Sequence, residues 1–176
     1  TLFRSLGNEI KVYAENNHFK AADVQQIIHL VDMDGAFVDD SVIIEDETKD
    51  KFVYTLQSVI VPNRQVAIER NEHKRENLNT LSSRTSVMWN NIPYKIYYMS
   101  CNLDHVLHDK PNATDEEKKA NSLDFTERYY DDINAFIKFI SESTFSQCTG
   151  YKESWDYIKQ DKHSLERNSN LGLCFI

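Results

Sequence analysis

The first two thirds of the chain switch between extended and helical hydrophobic periods, and the last third is helical. Leu2, Phe3 and Leu6 share one side of a helical turn, and Gly7 predicts its end. Residues 9–14 alternate, with Ile10, Val12 and Ala14 on one face, which predicts a short strand. Asn16 and Asn17 mark a turn, and residues 21–26 a short helix. Ile27 to Val31 is an apolar run that suits a buried strand, ending at Asp32-Met33-Asp34-Gly35. Residues 36–50 are acidic and predict a loop or short elements. Phe52 to Val61 favours extended structure, closed by Pro62, and Val66 to Leu81 predicts one or two charged helices.

Pro93 precedes a strand over Tyr94 to Met99, which ends at Ser100-Cys101-Asn102. Leu103 to His108 is a short helix stopped by Pro111. Thr114 and Glu117 form a capping box for a helix running to about Tyr129. Ile133, Phe136, Ile137 and Ile140 fall at helical spacing within 131–141, and Trp155 and Ile158 within 151–162. The tail, 168–176, carries Leu171, Leu173, Cys174 and Phe175 and is predicted to pack back on the body.

Strands alternating with helices predict an α/β fold with a mainly parallel sheet. The 176 residues make one domain, with a sheet-forming core over 1–110 and a helical C-terminal part over 111–176. A 40% hydrophobic content excludes an intrinsically disordered chain, and four Gly with three Pro exclude collagen-like character. No apolar run approaches the ~20 residues of a membrane-spanning helix. The net charge of −8, from 28 acidic and 20 basic residues, argues against a simple non-specific nucleic-acid binder. It leaves room for a metal enzyme, whose site uses clustered carboxylates. Cys101, Cys148 and Cys174 are odd in number and far apart, which points to a reducing, cytoplasmic location. The sequence starts at Thr1 with no charged-then-apolar leader, and reads as a fragment or processed product that begins inside a fold.

Asp32 and Asp34 carry the best chemical signal. In open α/β sheets ligands bind beyond the carboxyl ends of the strands. Carboxylates at i and i+2 there can reach one cation, and Gly35 lets the backbone turn sharply. Such oxygen ligands suit Mg²⁺ or Mn²⁺. The plainer alternative is an Asp-rich turn. Asn102 and Asp104 follow the second strand end, where Asn102 either caps the next helix or joins the first site. His105 and His108 lack the H-E-x-x-H pattern and a third ligand for zinc, and Cys101 suits a packed thiol better than a nucleophile. Arg64, Arg70, Lys74, Arg75 and Arg84 interleave with Glu69, Glu72 and Glu76. They make either a solvated helix laced with ion pairs or a face for phosphates.

Two families share the Asp-x-Asp-Gly signal. Asp32 to Asp40 resembles the first motif of HAD-like phosphatases, which implies Asp32 as nucleophile and Asp34 as acid/base. That family also needs a lysine and an acidic pair on later strands, whereas Asp131-Asp132 stands at a helix start. The chain also resembles TOPRIM-like nuclease domains of the RloB and OLD-like type over roughly residues 1–110. The resemblance rests on the element order up to Asp34 and on Ser100-Cys101-Asn102-Leu103-Asp104-His105-Val106-Leu107. It implies a TOPRIM/Rossmann-like sheet and Mg²⁺-dependent cleavage of nucleic acid in phage defence. Asp32 and Asp34 would then be metal ligands, with Asn102 and Asp104 as positioning groups. It also implies a first strand and a glutamate ahead of Thr1. The non-enzymatic rival is an interaction domain that binds a protein partner, with Asp32 and Asp34 as turn residues.

Overall fold

A computed structural model describes residues 2–87 and 89–175. Thr1 and Ile176, the outer ends of the first and last predicted segments, lie outside the described residues, as do the side chains of Leu2 and Phe3.

The first helix, α1, spans Leu2–Asn16 and runs through both Gly7 and the predicted strand at 9–14. Helical spacing of Leu6, Ile10 and Ala14 wins over the alternation of Ile10, Val12 and Ala14. Ala14 is buried and Leu6 and Ile10 pack on the core, whereas Val12 is exposed. Gly7 costs the helix about 1 kcal/mol relative to alanine, but it is buried and does not end it. A single 3₁₀ turn, Ala21–Asp23, replaces the predicted helix over 21–26.

Strand β1, Ile27–Asp32, pairs in parallel with β5, Tyr94–Met99, from Ile27↔Tyr94 to Asp32↔Met99. β1 is half-buried, not buried on both faces: Ile28 and Leu30 are 49% and 47% exposed. Among the described residues no strand pairs with its outer edge. Strands β2 (Ile43–Glu45), β3 (Val53–Tyr54) and β4 (Val59–Val61) form a second sheet in the order β2-β4-β3. β4 is parallel to β2 and antiparallel to β3. The extended stretch predicted over 52–61 is a hairpin, because the Thr55 hydroxyl accepts the Ser58 N–H at 2.9 Å and turns the chain. The fold is α/β, with two small sheets where one mainly parallel sheet was predicted.

Helix α2, Arg64–Ser82, is capped by Asn63, which accepts the Val66 N–H. α3 is Leu103–His108, α4 Asp115–Tyr129, α5 Ile133–Glu142 and α6 Tyr151–Ile158. The β1–β5 pair lies between two helical layers. Tyr94, Ile96 and Tyr98 meet Leu78 and Leu81 of α2 and Trp155 and Ile158 of α6. On the other face Tyr97 and Met99 meet Val106, Ile140, Phe145 and Leu171. A third cluster joins Val59, Val61 and Tyr54 to Cys101 and Leu165. The tail packs back as predicted: Ser100 N–H donates to the Asn168 carbonyl at 2.9 Å and Tyr98 N–H to Asn170 Oδ1 at 2.8 Å. Residues 164–170 therefore cover the outer edge of β5 and tie the C-terminal part to the core. Beyond residue 110, where the HAD-like reading requires strands, the described residues form α4, α5 and α6, and Asp132 caps α5. No helix among the described residues is long and apolar enough to cross a membrane.

Candidate functional site at the carboxyl ends of β1 and β5

Both paired strands end in strained turns that bind each other. Asp34 has φ +49° and Cys101 φ +40°, and the Asp34 N–H donates to the Cys101 carbonyl at 2.7 Å. Left-handed backbone at non-glycine residues costs about 1–3 kcal/mol each, so surrounding contacts must hold it. Gly35 continues the turn at φ +63°, where a Cβ would sit 2.9 Å from Leu165 Cδ2. Only glycine fits that position.

The Asp34 turn is held from α2. Arg70 and Lys74, four apart, face the same way, as their spacing predicts. Arg70 Nη2 donates to the Asp34 carbonyl at 2.9 Å, and Lys74 Nζ pairs with the Asp34 carboxylate. Arg75 donates to the Ala36 carbonyl at 3.2 Å and approaches Asp40. Buried Asn71 and the Phe52 ring hold the Arg70 guanidinium. Arg64 donates to the carbonyls of Ile43 and Asp40. Of the charges read as a solvated or phosphate-facing run, Arg70, Lys74 and Arg75 thus lean on the turn, and exposed Arg64 is tied to the segment that leads into β2. Arg84 is exposed beyond the end of α2.

Asp32 opens onto a crevice of about 580 Å³ together with Asp34, Asn102 and Asp104, so the structure brings these predicted residues together. Loss of water raises the Asp32 pKa, and the charges of Asp34 and Asp104 raise it further; Lys74 and the Leu103 N–H act against them. Asn102 caps α3 by accepting the His105 N–H at 3.0 Å and donates to the Pro111 carbonyl at 2.7 Å. Asp104 accepts from Asn121 at 2.8 Å. Burial first, and then Asp34 and Asp32, push the Cys101 thiol up to about 12, so it is a packed residue and no nucleophile.

The sequence reading missed Asp50, Lys51, Asn112 and Lys118, which also line the crevice. Asn112 grips β3 like an extra strand residue, accepting from Tyr54 N–H and donating to the Tyr54 carbonyl, both at 2.8 Å. Lys51 and Lys118 make no side-chain hydrogen bond or ion pair among the described residues. No local pattern marks these positions, which are brought together by the fold.

Mg²⁺ is commonly held by one or two carboxylates, with water and phosphate completing its shell. Asp32 and Asp34 fit that demand: mutual repulsion already raises the Asp32 pKa, and a cation relieves it. Among the described residues no group of three or more His, Cys, Asp or Glu side chains is placed to hold a metal ion, so the crevice offers a cation two carboxylates at most, and His105 and His108 have no third ligand for zinc. No family model, curated protein or solved structure matches this chain.

Proposed function

We propose that the crevice is a Mg²⁺- or Mn²⁺-dependent phosphodiester-cleaving site acting on nucleic acid. The observation that carries this reading is that Asp32 and Asp34 line one crevice at parallel strand ends together with the uncommitted cations Lys51 and Lys118. Carboxylates suit a divalent cation, and lysines suit the phosphate that a nucleic acid presents. Asp32 and Asp34 would hold the ion, and Lys74, which pairs with Asp34 in the ion-free protein, would give way to it. When bound, the ion stabilises charge developing on the scissile phosphate. Lys51 and Lys118 bind and orient the phosphate, and Asn102 fixes the α3 end that carries Asp104. The finer fold reading, a TOPRIM-like domain of the RloB and OLD-like type in cytoplasmic phage defence, is supported by Asp32-x-Asp34 and by Ser100 to Leu107. The helix through residues 9–14 departs from that family's element order.

The test is incubation with end-labelled single-stranded and duplex DNA and RNA in Mg²⁺ or Mn²⁺. The expected result is cleavage abolished by chelation and lowered at least about a hundredfold by Asp32→Asn. Absence of cleavage, or cleavage that Asp32→Asn leaves intact, overturns the reading.

A second reading is favoured by the Lys74–Asp34 pair itself. With Asp34 permanently neutralised, the turn is structural and the domain binds a partner without cutting. It predicts that a divalent cation neither binds nor changes the crevice.

A further inference from the structure

A second cavity, of about 470 Å³, adjoins the crevice, and Leu103, Asp104 and Lys118 line both. Its walls are apolar: Leu30 and Met99 come from the β1–β5 face, Leu107 from α3, Phe125 from α4, and Phe136 and Ile140 from α5. Leu30 and Leu103 remain 47% and 45% exposed there, so apolar surface lies open beside the acidic crevice. Ser122, Thr126 and His108 add polar groups among these walls. Burial lowers the His108 pKa, against the charges of Asp104 and Asp124, and a neutral imidazole offers one donor and one acceptor nitrogen. Phe125 meets the rings of His108 and Phe136 edge-on at 5.9 and 6.0 Å.

We propose that this cavity receives an unstacked nucleobase of the strand whose phosphate lies in the crevice. The inference rests on the phosphodiester reading and names its substrate as single-stranded or frayed nucleic acid. The volume falls in the range of small-molecule sites, about 300–1,000 Å³. A base has an apolar face for Leu30, Leu103 and Phe125 and a polar edge for Ser122 and His108, and for Thr126 as an acceptor, since its hydroxyl donates to the Ser122 carbonyl at 2.8 Å. An acyl chain uses the walls and leaves the polar groups without a role. Lys118, at the junction, lies between the place of the base and the place of the phosphate, and its ammonium is uncommitted. Bases inside a duplex cannot enter without leaving the stack.

The test is calorimetry in Mg²⁺ with adenosine 5′-monophosphate, adenosine and ribose 5-phosphate, plus a titration with Mg²⁺ alone. The base is expected to tighten binding about tenfold over ribose 5-phosphate. Ser122→Trp, at a solvent-exposed position on the cavity's rim, is expected to fill the cavity and abolish that difference. Thr126→Trp is the second variant, and circular dichroism shows that each folds. Equal affinities for adenosine 5′-monophosphate and ribose 5-phosphate in the parent chain overturn the proposal, as does a difference that survives in a folded tryptophan variant. Mg²⁺ binding with no contribution from the base leaves the metal reading standing and this one refuted. Adenosine binding lost in Ser122→Trp, without any Mg²⁺ binding, supports the cavity and refutes the metal reading.

Discussion

Lys74 of α2 pairs with the carboxylate of Asp34 in the turn after β1, forty residues earlier in the chain. The pair is partly buried, with side chains 25% and 27% exposed, and it decides how available Asp34 is to any other cation. A divalent ion at the proposed site would compete with the Lys74 ammonium for one carboxylate. Lys74→Met is therefore expected to tighten Mg²⁺ binding several-fold while lowering the stability of the ion-free protein by about 1–3 kcal/mol. Calorimetry and denaturant unfolding read the two effects separately. Unchanged or weaker Mg²⁺ binding in a folded Lys74→Met protein counts against Asp34 as a ligand.

Asp32 gives a prediction of opposite sign to that of an ordinary ion-paired aspartate. Its folded-state pKa is raised, chiefly by loss of water and then by Asp34 and Asp104. The folded protein therefore holds this proton more firmly than the unfolded chain. The stability contribution is present below the usual aspartate range and is lost as pH rises through the raised value. Asp32→Asn is expected to raise the melting temperature slightly at neutral pH in the absence of metal, and to remove this part of the pH dependence. A clear fall in melting temperature at neutral pH contradicts the argument.

Gly35→Ala tests the turn without touching a charge. The substitution meets both a left-handed φ and the Leu165 side chain, with Val59 Cγ2 at 3.3 Å. A loss of about 2 kcal/mol or more is expected in urea unfolding, since strain and overpacking each cost about 1–3 kcal/mol. A neutral effect shows that the turn relaxes and does not fix Asp34.

Asn112→Ala removes both hydrogen bonds to the Tyr54 backbone at the crevice wall. The expected destabilisation is about 1–3 kcal/mol, with faster amide exchange at Tyr54. Unchanged exchange there shows that Asn112 does not hold this wall.

Local signals made much of this architecture legible. Pro93 and the Asn102 cap bracket β5 and α3, and Thr114 with Glu117 marks the start of α4; these elements form where the sequence predicts them. At residues 9–14 two periods compete, and only packing of Leu6, Ile10 and Ala14 on the core selects the helix. The spacing of Arg70 and Lys74 shows that they share a face, but not that the face turns toward Asp34, because that depends on how α2 docks. Lys51, Asn112 and Lys118 belong to separate segments with no common pattern, and their meeting with Asp32 is a product of tertiary structure.

The proposed activity depends first on a divalent cation held by Asp32 and Asp34 at the carboxyl end of β1. Calorimetric titration of the parent chain and of the Asp32→Ala/Asp34→Ala double variant with Mg²⁺ and Mn²⁺ tests it most directly. Binding is expected in the parent chain and lost in the folded double variant. No binding by the parent chain, or binding that persists in the double variant, contradicts it.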